Sequence, residues 1–296
     1  MRIAVLLSAY LLPLIGVAIA GAATPEQQWK AEIAKGNIAF ATRPHAILKI
    51  QDAAYLGEGE TATLIGTPGR PESYKWTARK APNGILTATV RNHRPVVMKD
   101  GEMFSEDQVA KGIPVATDVD IAGAQTQVDA GVLGARIFVY NQQAAAAKTF
   151  KGLEYFPYDP AYRISARFTP DAKLPARTFR TSRGTDKQFF HVGDASFRLQ
   201  GKQFSLPFYA NENDPKKISA ISAFFTDELT GKGAYGAGRY VDVEDFGGFP
   251  PRQITIDFNF AYNPNCARSP FFTCPVATDN LPLPVKVGER DPHGKH

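Results

Sequence analysis

Residues 254–260, Ile-Thr-Ile-Asp-Phe-Asn-Phe, alternate strictly between apolar and polar side chains. If this segment is a strand, its four apolar side chains share one face, while Thr255, Asp257 and Asn259 share the other. Successive side chains of a strand point to opposite faces, so the pattern indicates a strand with one buried and one solvated side. Strands of this half-buried kind are typical of antiparallel sheets.

Similar runs recur along most of the chain. Two alternating runs flank Gln200-Gly201-Lys202, which predicts a hairpin with a glycine turn. Other runs are bounded by Gly, Pro, Asn or Asp, and no helix-length periodic segment separates them. The predicted strands are Ala62–Gly66, Ile85–Arg91, Val132–Tyr140, Tyr162–Phe168, Ala195–Leu199, Phe204–Phe208, Ile218–Phe225, Arg239–Val243, Ile254–Phe260 and Leu283–Val287. We therefore predict a mainly β protein, an antiparallel β-sandwich or barrel-like architecture with one short N-terminal helix.

That helix is predicted from its capping residues. Thr24 is a good N-cap, Pro25 suits the first turn, and Gln27 completes a capping box with Thr24. Gly36 is predicted to end the helix because glycine is a poor helix former.

Composition and charge exclude several classes of protein. The 296 residues are 44% hydrophobic and 21% charged, which is typical of a soluble globular protein. The net charge of +5 comes from 34 basic and 29 acidic residues spread along the chain. Because a nucleic-acid binder concentrates its positive charge on one face, we predict no nucleic-acid partner.

Signatures of common cofactor and metal enzymes are missing or out of context. The sequence has no G-x-S-x-G, H-E-x-x-H or G-x-x-x-x-G-K-[ST] motif. Residues 231–236, Gly-Lys-Gly-Ala-Tyr-Gly, match the dinucleotide pattern G-x-G-x-x-G, but a predicted strand follows them where a helix is required. We predict no cofactor and no metal site.

The N-terminus predicts secretion. Residues 1–22 combine a positive start, an apolar run and a small-residue end, as a cleaved signal peptide does, although an uncleaved anchor is an alternative. After cleavage we expect a periplasmic or secreted protein without stable membrane insertion. The predicted organisation is a β-rich N-terminal subdomain (24–141), a C-terminal β domain (149–290) and a tail (291–296). Residues 142–148 form either a linker or a short helix.

Cys266 and Cys274 are the only cysteines. Their separation is unlike that of a C-x-x-C redox motif or of a zinc knuckle. In an oxidising compartment the favoured interpretation is a disulfide, and the alternatives are a free buried pair or a metal site.

Polar side chains gather among aromatic residues in the turn-rich C-terminal third. Asp257 and Asn259 share a predicted strand face, Asn263 lies in the turn beyond it, and Asn280 follows Pro275. These groups would either converge on a ligand or cap turns by bonding backbone amides.

Several motifs in this half of the chain occur in a recognisable order. They are Phe-Lys-Gly-Leu-Glu-Tyr-Phe-Pro (150–157) with Tyr162-Arg163, Phe-Thr-Asp (225–227) with Thr230-Gly231, Tyr-Gly-Ala-Gly-Arg-Tyr (235–240), and Asp-Phe-Asn-Phe-Ala-Tyr-Asn-Pro-Asn-Cys-Ala (257–267), followed by Thr273-Cys274-Pro275, Asn280-Leu281-Pro282 and Gly288-Glu289. In this combination the chain resembles the bacterial and archaeal family called domain of unknown function 1684. It departs from that family at Phe260, where a basic residue is usual, and at residues 276–279, where a proline-rich run is usual.

The resemblance indicates a candidate functional region but implies no activity. It favours a polar set as the functional region: Glu154, Arg163, Asp227, Tyr235, Arg239, Asp257, Asn259, Asn263 and Asn280.

Three functions follow from these residues. The leading hypothesis is a binding module in which Arg163 or Arg239 holds a small polar or anionic ligand, with Tyr235, Asp257, Asn259, Asn263 and Asn280 around it. The alternative is a hydrolase with Glu154, Asp227 or Asp257 as general base in the same pocket. The third is a structural envelope protein whose polar residues only hold turns.

Overall fold

The computed structural model describes residues 23–78, 81–244 and 246–293. The predicted signal peptide, residues 1–22, lies outside the described residues, as do residues 294–296 of the predicted tail. Strands hold 47% of the described residues and helices 15%, which confirms the prediction of a mainly β fold. Within the described part of the chain, every helix is too short or too polar to cross a bilayer.

Residues 50–141 form two antiparallel sheets. Their strands are β1 (Ile50–Leu56), β2 (Thr61–Thr67), β3 (Arg70–Thr77), β4 (Leu86–Arg91), β5 (Arg94–Lys99), β6 (Glu102–Phe104), β7 (Ile113–Ala116), β8 (Val119–Asp129) and β9 (Val132–Asn141). One sheet has the order β3-β2-β4-β5-β6 and the other β1-β9-β8-β7. A short helix, α2 (Glu106–Lys111), joins them. Leu64 and Val97 from the first sheet and Ile121 and Ile137 from the second are fully buried in one core. These two sheets, residues 50–141, form a sandwich, which we call the N-terminal unit.

A third sheet is built from the residues that follow residue 149, which we call the C-terminal unit. Its strands are β10 (Arg163–Pro170), β11 (Ala176–Arg180), β12 (Asp186–Leu199), β13 (Lys202–Ala210), β14 (Ile221–Asp227), β15 (Arg239–Val243), β16 (Gln253–Asp257) and β17 (Asp279–Leu281). The main path is β15-β14-β13-β12-β10-β16, with β11 on β12 and β17 on β14. All of these pairs are antiparallel except β14 with β17. The sheet curves into a half-barrel, so that the two end strands β15 and β16 contact each other.

The strand predicted over residues 254–260 is β16, and it ends earlier than the alternation predicts. Ile254 and Ile256 are buried on one face, and Thr255 is exposed on the other. At Asp257 the strand stops, and Phe258–Phe260 form a 3-10 turn. The Asp257 carboxylate accepts the backbone N–H of Asn259 at 3.0 Å, so a local side-chain bond replaces the strand pairing. The predicted hairpin at Gly201 is confirmed by the pairing of β12 with β13.

The predicted strand Leu283–Val287 is wrong. Its apolar side chains are buried as the alternation indicates, but no strand pairs with its backbone. Arg239 donates to the carbonyls of Val285 and Val287, and Asp227 accepts the N–H of Val285. Two side chains therefore satisfy the backbone groups that a neighbouring strand would otherwise bond.

Helix α1 (Pro25–Ala41) begins as predicted and ends later. The capping box is confirmed, since the Gln27 N–H donates to Thr24 and the Thr24 N–H donates to Gln27. The helix continues past Gly36 because residues 149–153 pack along it, with the Phe40 and Phe150 rings stacked. Tertiary packing thus outweighs the helix propensity of one glycine, about 1 kcal/mol. The segment predicted as linker or helix contains α3 (Ala145–Thr149).

The two units share an apolar seam. Phe138 and Tyr140 on the outer face of β9 pack with Phe272 and Cys274 of the C-terminal unit. Two further contacts are the bond from the Tyr55 hydroxyl to the Phe271 carbonyl, 2.9 Å, and the bond from Gln127 to the Gln188 carbonyl, also 2.9 Å.

Candidate functional site

Arg163 and Asp257 meet at the edge of the half-barrel. They are direct partners in the pairing of β10 with β16. Their side chains form an ion pair with 3.6 Å between Arg163 Nε and Asp257 Oδ2, and they are 49% and 14% exposed. In the described part of the chain, Arg163 donates no hydrogen bond to another side chain, so its guanidinium can contact a ligand. Two of the residues named in the predicted ligand site thus lie next to each other.

A cavity of about 620 Å³ opens beside this pair. Strands β10, β15 and β16 and the first turn of α1 enclose it. Its lining residues are Pro25, Gln28, Arg163, Ser165, Val243, Glu244, Phe246, Gln253, Ile254, Thr255, Asp257 and Phe260. The lining therefore combines a cation, two carboxylates, two amides, two hydroxyls and two aromatic rings.

The sequence brings Phe260 to this cavity through the turn that ends β16. A strand continuing through residue 260 would place Phe260 on the same face as buried Ile256. The 3-10 turn instead buries Asn259 completely and leaves Phe260 half-buried in the cavity wall. Phe260 thus contributes an apolar surface to the cavity, at a position where the family that the chain resembles usually has a basic residue.

Asn259 lies behind the cavity and bonds to Asp257, to Asp159 and to helix α1. Its side-chain amide donates to Asp257 Oδ1 at 2.8 Å and to the Asp159 carbonyl at 2.9 Å, and its side-chain oxygen accepts the Asp159 N–H. Its own carbonyl accepts the indole N–H of Trp29 at 2.8 Å. This bond fixes helix α1 over the sheet and places Gln28 at the cavity. Asn259 is therefore a scaffold residue rather than a ligand contact.

The carboxylates of the cavity lining outnumber its one cation. Arg163 faces Asp257, and the exposed Glu244 is also part of the lining. Nearby, burial and the Asp257 carboxylate both raise the pKa of the Tyr158 hydroxyl, whose ring packs 5.6 Å from Trp29. Across its described lining the cavity carries one positive and two negative charges.

Arg239 and Asp227 are not in this cavity. Their side chains are 1% and 0% exposed, and Arg239 Nη2 donates to Asp227 Oδ2 at 2.8 Å. Burial lowers the pKa of Arg239, and the Asp227 carboxylate opposes that shift. Asp227 also accepts the N–H groups of Leu229 and Val285. The pair joins β14 and β15 to the segment 285–289 and is closed to any ligand.

The remaining predicted residues also lie apart. Asn263 is buried, with its N–H on Glu289 and its amide on the Arg290 carbonyl. Asn280 is exposed on β17 and accepts a bond from Thr226. Tyr235 contacts the Cys266 carbonyl, and burial raises its pKa to about 12. Glu154 is exposed and does not line the cavity, so the three carboxylates predicted as general bases do not share it.

The predicted disulfide between Cys266 and Cys274 is not formed, and both residues are free thiols. Cys266 donates its backbone N–H to Cys274 Sγ at 3.3 Å, so the sulfur of Cys274 serves as a hydrogen-bond acceptor. No group of three or more His, Cys, Asp or Glu side chains could hold a metal ion in residues 23–78, 81–244 and 246–293.

Sequence reasoning missed most of the lining. Ser165, Gln253 and Thr255 lie on the polar face of β10 and β16, which the alternation identifies, but nothing local indicates that this face is concave. Gln28 and Phe246 come from segments that reach the cavity only through tertiary packing.

A comparison with family models agrees with the resemblance, and a comparison with solved structures finds a partial match. The family model described as protein of unknown function (DUF1684) matches residues 148–290. A solution NMR structure of an uncharacterised protein from Haloarcula marismortui is 33% identical, with a TM-score of 0.42. That alignment covers 49% of this chain and 79% of the archaeal one. No curated protein matches the sequence.

Proposed function

Since residues 148–290 belong to the DUF1684 family, whose description assigns no function, we propose one from the geometry of this chain's own cavity: it binds a small polar ligand beside Arg163. The observation that carries the proposal is a half-exposed guanidinium at the wall of a cavity of about 620 Å³. Small-molecule sites commonly have volumes of about 300–1,000 Å³ and a few convergent polar groups. With the N-terminal signal, the protein would do this in the periplasm or outside the cell.

The charges of the lining select among polar ligands. The described lining holds one guanidinium and two carboxylates, so it has an excess of negative charge and repels a free anion. Neutral hydroxyl groups can donate to Asp257 and accept from Arg163, and each hydroxyl can do both. Phe246 and Phe260 add apolar surface of the kind that covers the face of a sugar ring. A hydroxyl-rich neutral compound, such as a monosaccharide, therefore fits better than an anion.

The hydrolase alternative depends on Asp257 alone. Asp227 is buried on Arg239, and Glu154 lies elsewhere, so neither can act in this cavity. Asp257 Oδ1 already accepts the N–H and the amide of Asn259, and Oδ2 faces Arg163. Oδ2 can still accept a ligand hydroxyl beside Arg163, which is all that the binding proposal requires of Asp257, so binding is favoured over catalysis. The open cavity in turn favours binding over a purely structural role.

The experiment is isothermal titration calorimetry of the full mature chain. The probes are glucose, N-acetylglucosamine, citrate and inorganic phosphate. We expect a neutral sugar to bind and the affinity to fall by about tenfold or more in Arg163→Met, because a charge-assisted hydrogen bond is lost. Arg91→Met is the matched control, since Arg91 is an exposed strand arginine of the N-terminal unit. Binding of citrate or phosphate alone would assign the site to anions. Absence of heat with all four probes, or equal losses in both variants, would refute the proposal.

A further inference from the structure

The two cysteines lie side by side at the seam between the units, away from the Arg163 cavity. Cys266 belongs to the 3-10 turn Asn265–Ala267 and is partly exposed, whereas Cys274 is buried. Both pack in the apolar cluster that contains Phe138 and Phe272. The 3.3 Å bond from the Cys266 N–H to Cys274 Sγ brings the second sulfur against the backbone of the first residue. One thiol is thus accessible, and the other is held behind it.

Hydroxyl groups surround the accessible thiol. Cys266 Sγ interacts with the thiol of Cys274 and with the hydroxyls of Ser182 and Tyr235. Ser182 is itself fixed, because its hydroxyl donates to the Phe272 carbonyl at 3.0 Å and accepts the Cys274 N–H at 3.3 Å. The Ser182 proton is thus already donated to Phe272, and the Cys274 thiol is the main donor to Cys266 Sγ, followed by the Tyr235 hydroxyl. A donated hydrogen bond stabilises a negative sulfur, so these contacts lower the pKa of the Cys266 thiol to about 6, although burial opposes the shift.

The partner thiol is perturbed in the opposite direction. The hydrogen bond to Cys266 and burial both raise the pKa of Cys274. Its charged neighbour is Lys187 of β12, which in turn faces Arg136 of β9. Arg136 lies over the Phe138 and Phe272 rings at 4.5 and 5.5 Å. The other titratable groups near the sulfurs are Tyr240, Tyr262 and, beside Tyr235, Asp291. The shifts therefore favour the ionised form at Cys266 and the protonated form at Cys274.

We propose that Cys266 and Cys274 form a thiol–disulfide exchange site, with Cys266 as the attacking sulfur and Cys274 as the resolving sulfur. The Cys266 thiolate attacks one sulfur of a substrate disulfide, whose S–S bond breaks and whose second sulfur leaves as a thiolate. Cys274 then loses its proton to solvent and attacks Cys266 Sγ, which releases the first substrate sulfur as a thiolate. Both released thiolates take up protons, so the substrate disulfide is reduced by two electrons and the two cysteines are oxidised to a disulfide.

The arrangement has the asymmetry that exchange requires. An attacking sulfur must be ionised and accessible, and a resolving sulfur must be close and protected from the substrate. A purely structural pair would not need one accessible thiol in contact with one buried thiol. The free state of both thiols is then the reduced form of the site.

The first experiment uses oxidised glutathione as the probe on the reduced full mature chain, followed by intact mass spectrometry. The wild-type protein is expected to lose two hydrogens and to retain no adduct. Cys274→Ser is expected to retain one glutathione, which a reductant removes. Cys266→Ser is expected to react at least about tenfold more slowly, because only a buried thiol with a raised pKa remains. A Cys274→Ser variant without an adduct, or a Cys266→Ser variant that reacts as fast as wild type, would overturn the proposal.

A second experiment needs no cysteine substitution and therefore does not depend on those variants folding. The rate of iodoacetamide alkylation at Cys266 is followed by peptide mass spectrometry as a function of pH. The rate is expected to fall as the pH drops through about 6, well below the ordinary thiol midpoint of about 8.5. Tyr235→Phe should move this midpoint upward because one donor is lost. Tyr262→Phe is the matched control, since its hydroxyl donates to Asp242 at 2.8 Å. An ordinary midpoint in the wild-type protein would refute an activated Cys266.

Discussion

Two arginine–aspartate pairs of the same sheet differ almost completely in their surroundings. Arg239 and Asp227 have side chains that are 1% and 0% exposed, while Arg163 and Asp257 are 49% and 14% exposed. The buried pair is closed by a 2.8 Å hydrogen bond and by three backbone carbonyls. The edge pair is held at 3.6 Å beside an open cavity.

The comparison shows that the buried pair stabilises the fold, whereas the edge pair can contact a ligand. A charge removed from water is costly unless it is paired and hydrogen-bonded inside the protein, and Arg239 donates from both Nη atoms while only its Nε lacks a partner. Because neither side chain of this pair is exposed, a ligand cannot reach it. A half-exposed pair exchanges its water for a ligand at little cost. Residue type and motif do not distinguish the two arginines, but their exposure does.

The largest effect on stability is expected from Arg239→Met, a change in the buried pair. We expect a loss of about 3–5 kcal/mol in the free energy of unfolding, because Asp227 would be left as an unpaired buried charge. The carbonyls of Val285 and Val287 would also lose their donor. Urea denaturation followed by circular dichroism measures the change. A loss below about 1 kcal/mol would mean that the pair is not the scaffold argued above.

A smaller effect is expected at Glu289, a buried carboxylate that accepts from Arg268 and from the Asn263 N–H. Burial raises its pKa above the ordinary value of 4.5, although Arg268 opposes the shift. The folded state therefore holds this proton more tightly than the unfolded state, and its contribution to stability declines as pH rises above 4.5.

Glu289→Gln removes this titration. Denaturation at pH values from about 5 to about 8 should show that the free energy of unfolding declines less with pH in the variant than in wild type. Glu102→Gln, a change at an exposed carboxylate of β6, serves as the control. Identical pH profiles for wild type and Glu289→Gln would show that burial does not perturb this group.

The smallest stability effect is expected at the edge pair. Arg163→Met should change the free energy of unfolding by less than about 1 kcal/mol, as exposed ion pairs do. The same variant is expected to weaken ligand binding. At Arg163 the affinity should therefore fall while the free energy of unfolding changes little, whereas at Arg239 the free energy of unfolding should fall. A loss of several kcal/mol in Arg163→Met would remove the distinction between the two pairs.

Much of the fold could be predicted from the sequence because the strand period is a local property. The capping box at Thr24, the hairpin at Gly201 and the alternation of Ile254 and Ile256 are all present. Local competition explains why β16 ends at Asp257, whose carboxylate caps the following turn. The segment 283–287 has the alternation of a strand but is bonded by side chains instead of by a neighbouring strand.

The candidate site could be predicted only in part. Arg163 and Asp257 were identified together, but Arg239, Asn259 and Asn263 came from the same motifs and are buried. Gln28 and Phe246 carried no local signal, since α1 reaches the sheet through the bond from Trp29 to Asn259. The sequence by itself determined the strand pattern, the caps and the polar residues available to a site. Only the tertiary structure decided which of those polar residues meet water, because the burial of a side chain depends on segments far away along the chain.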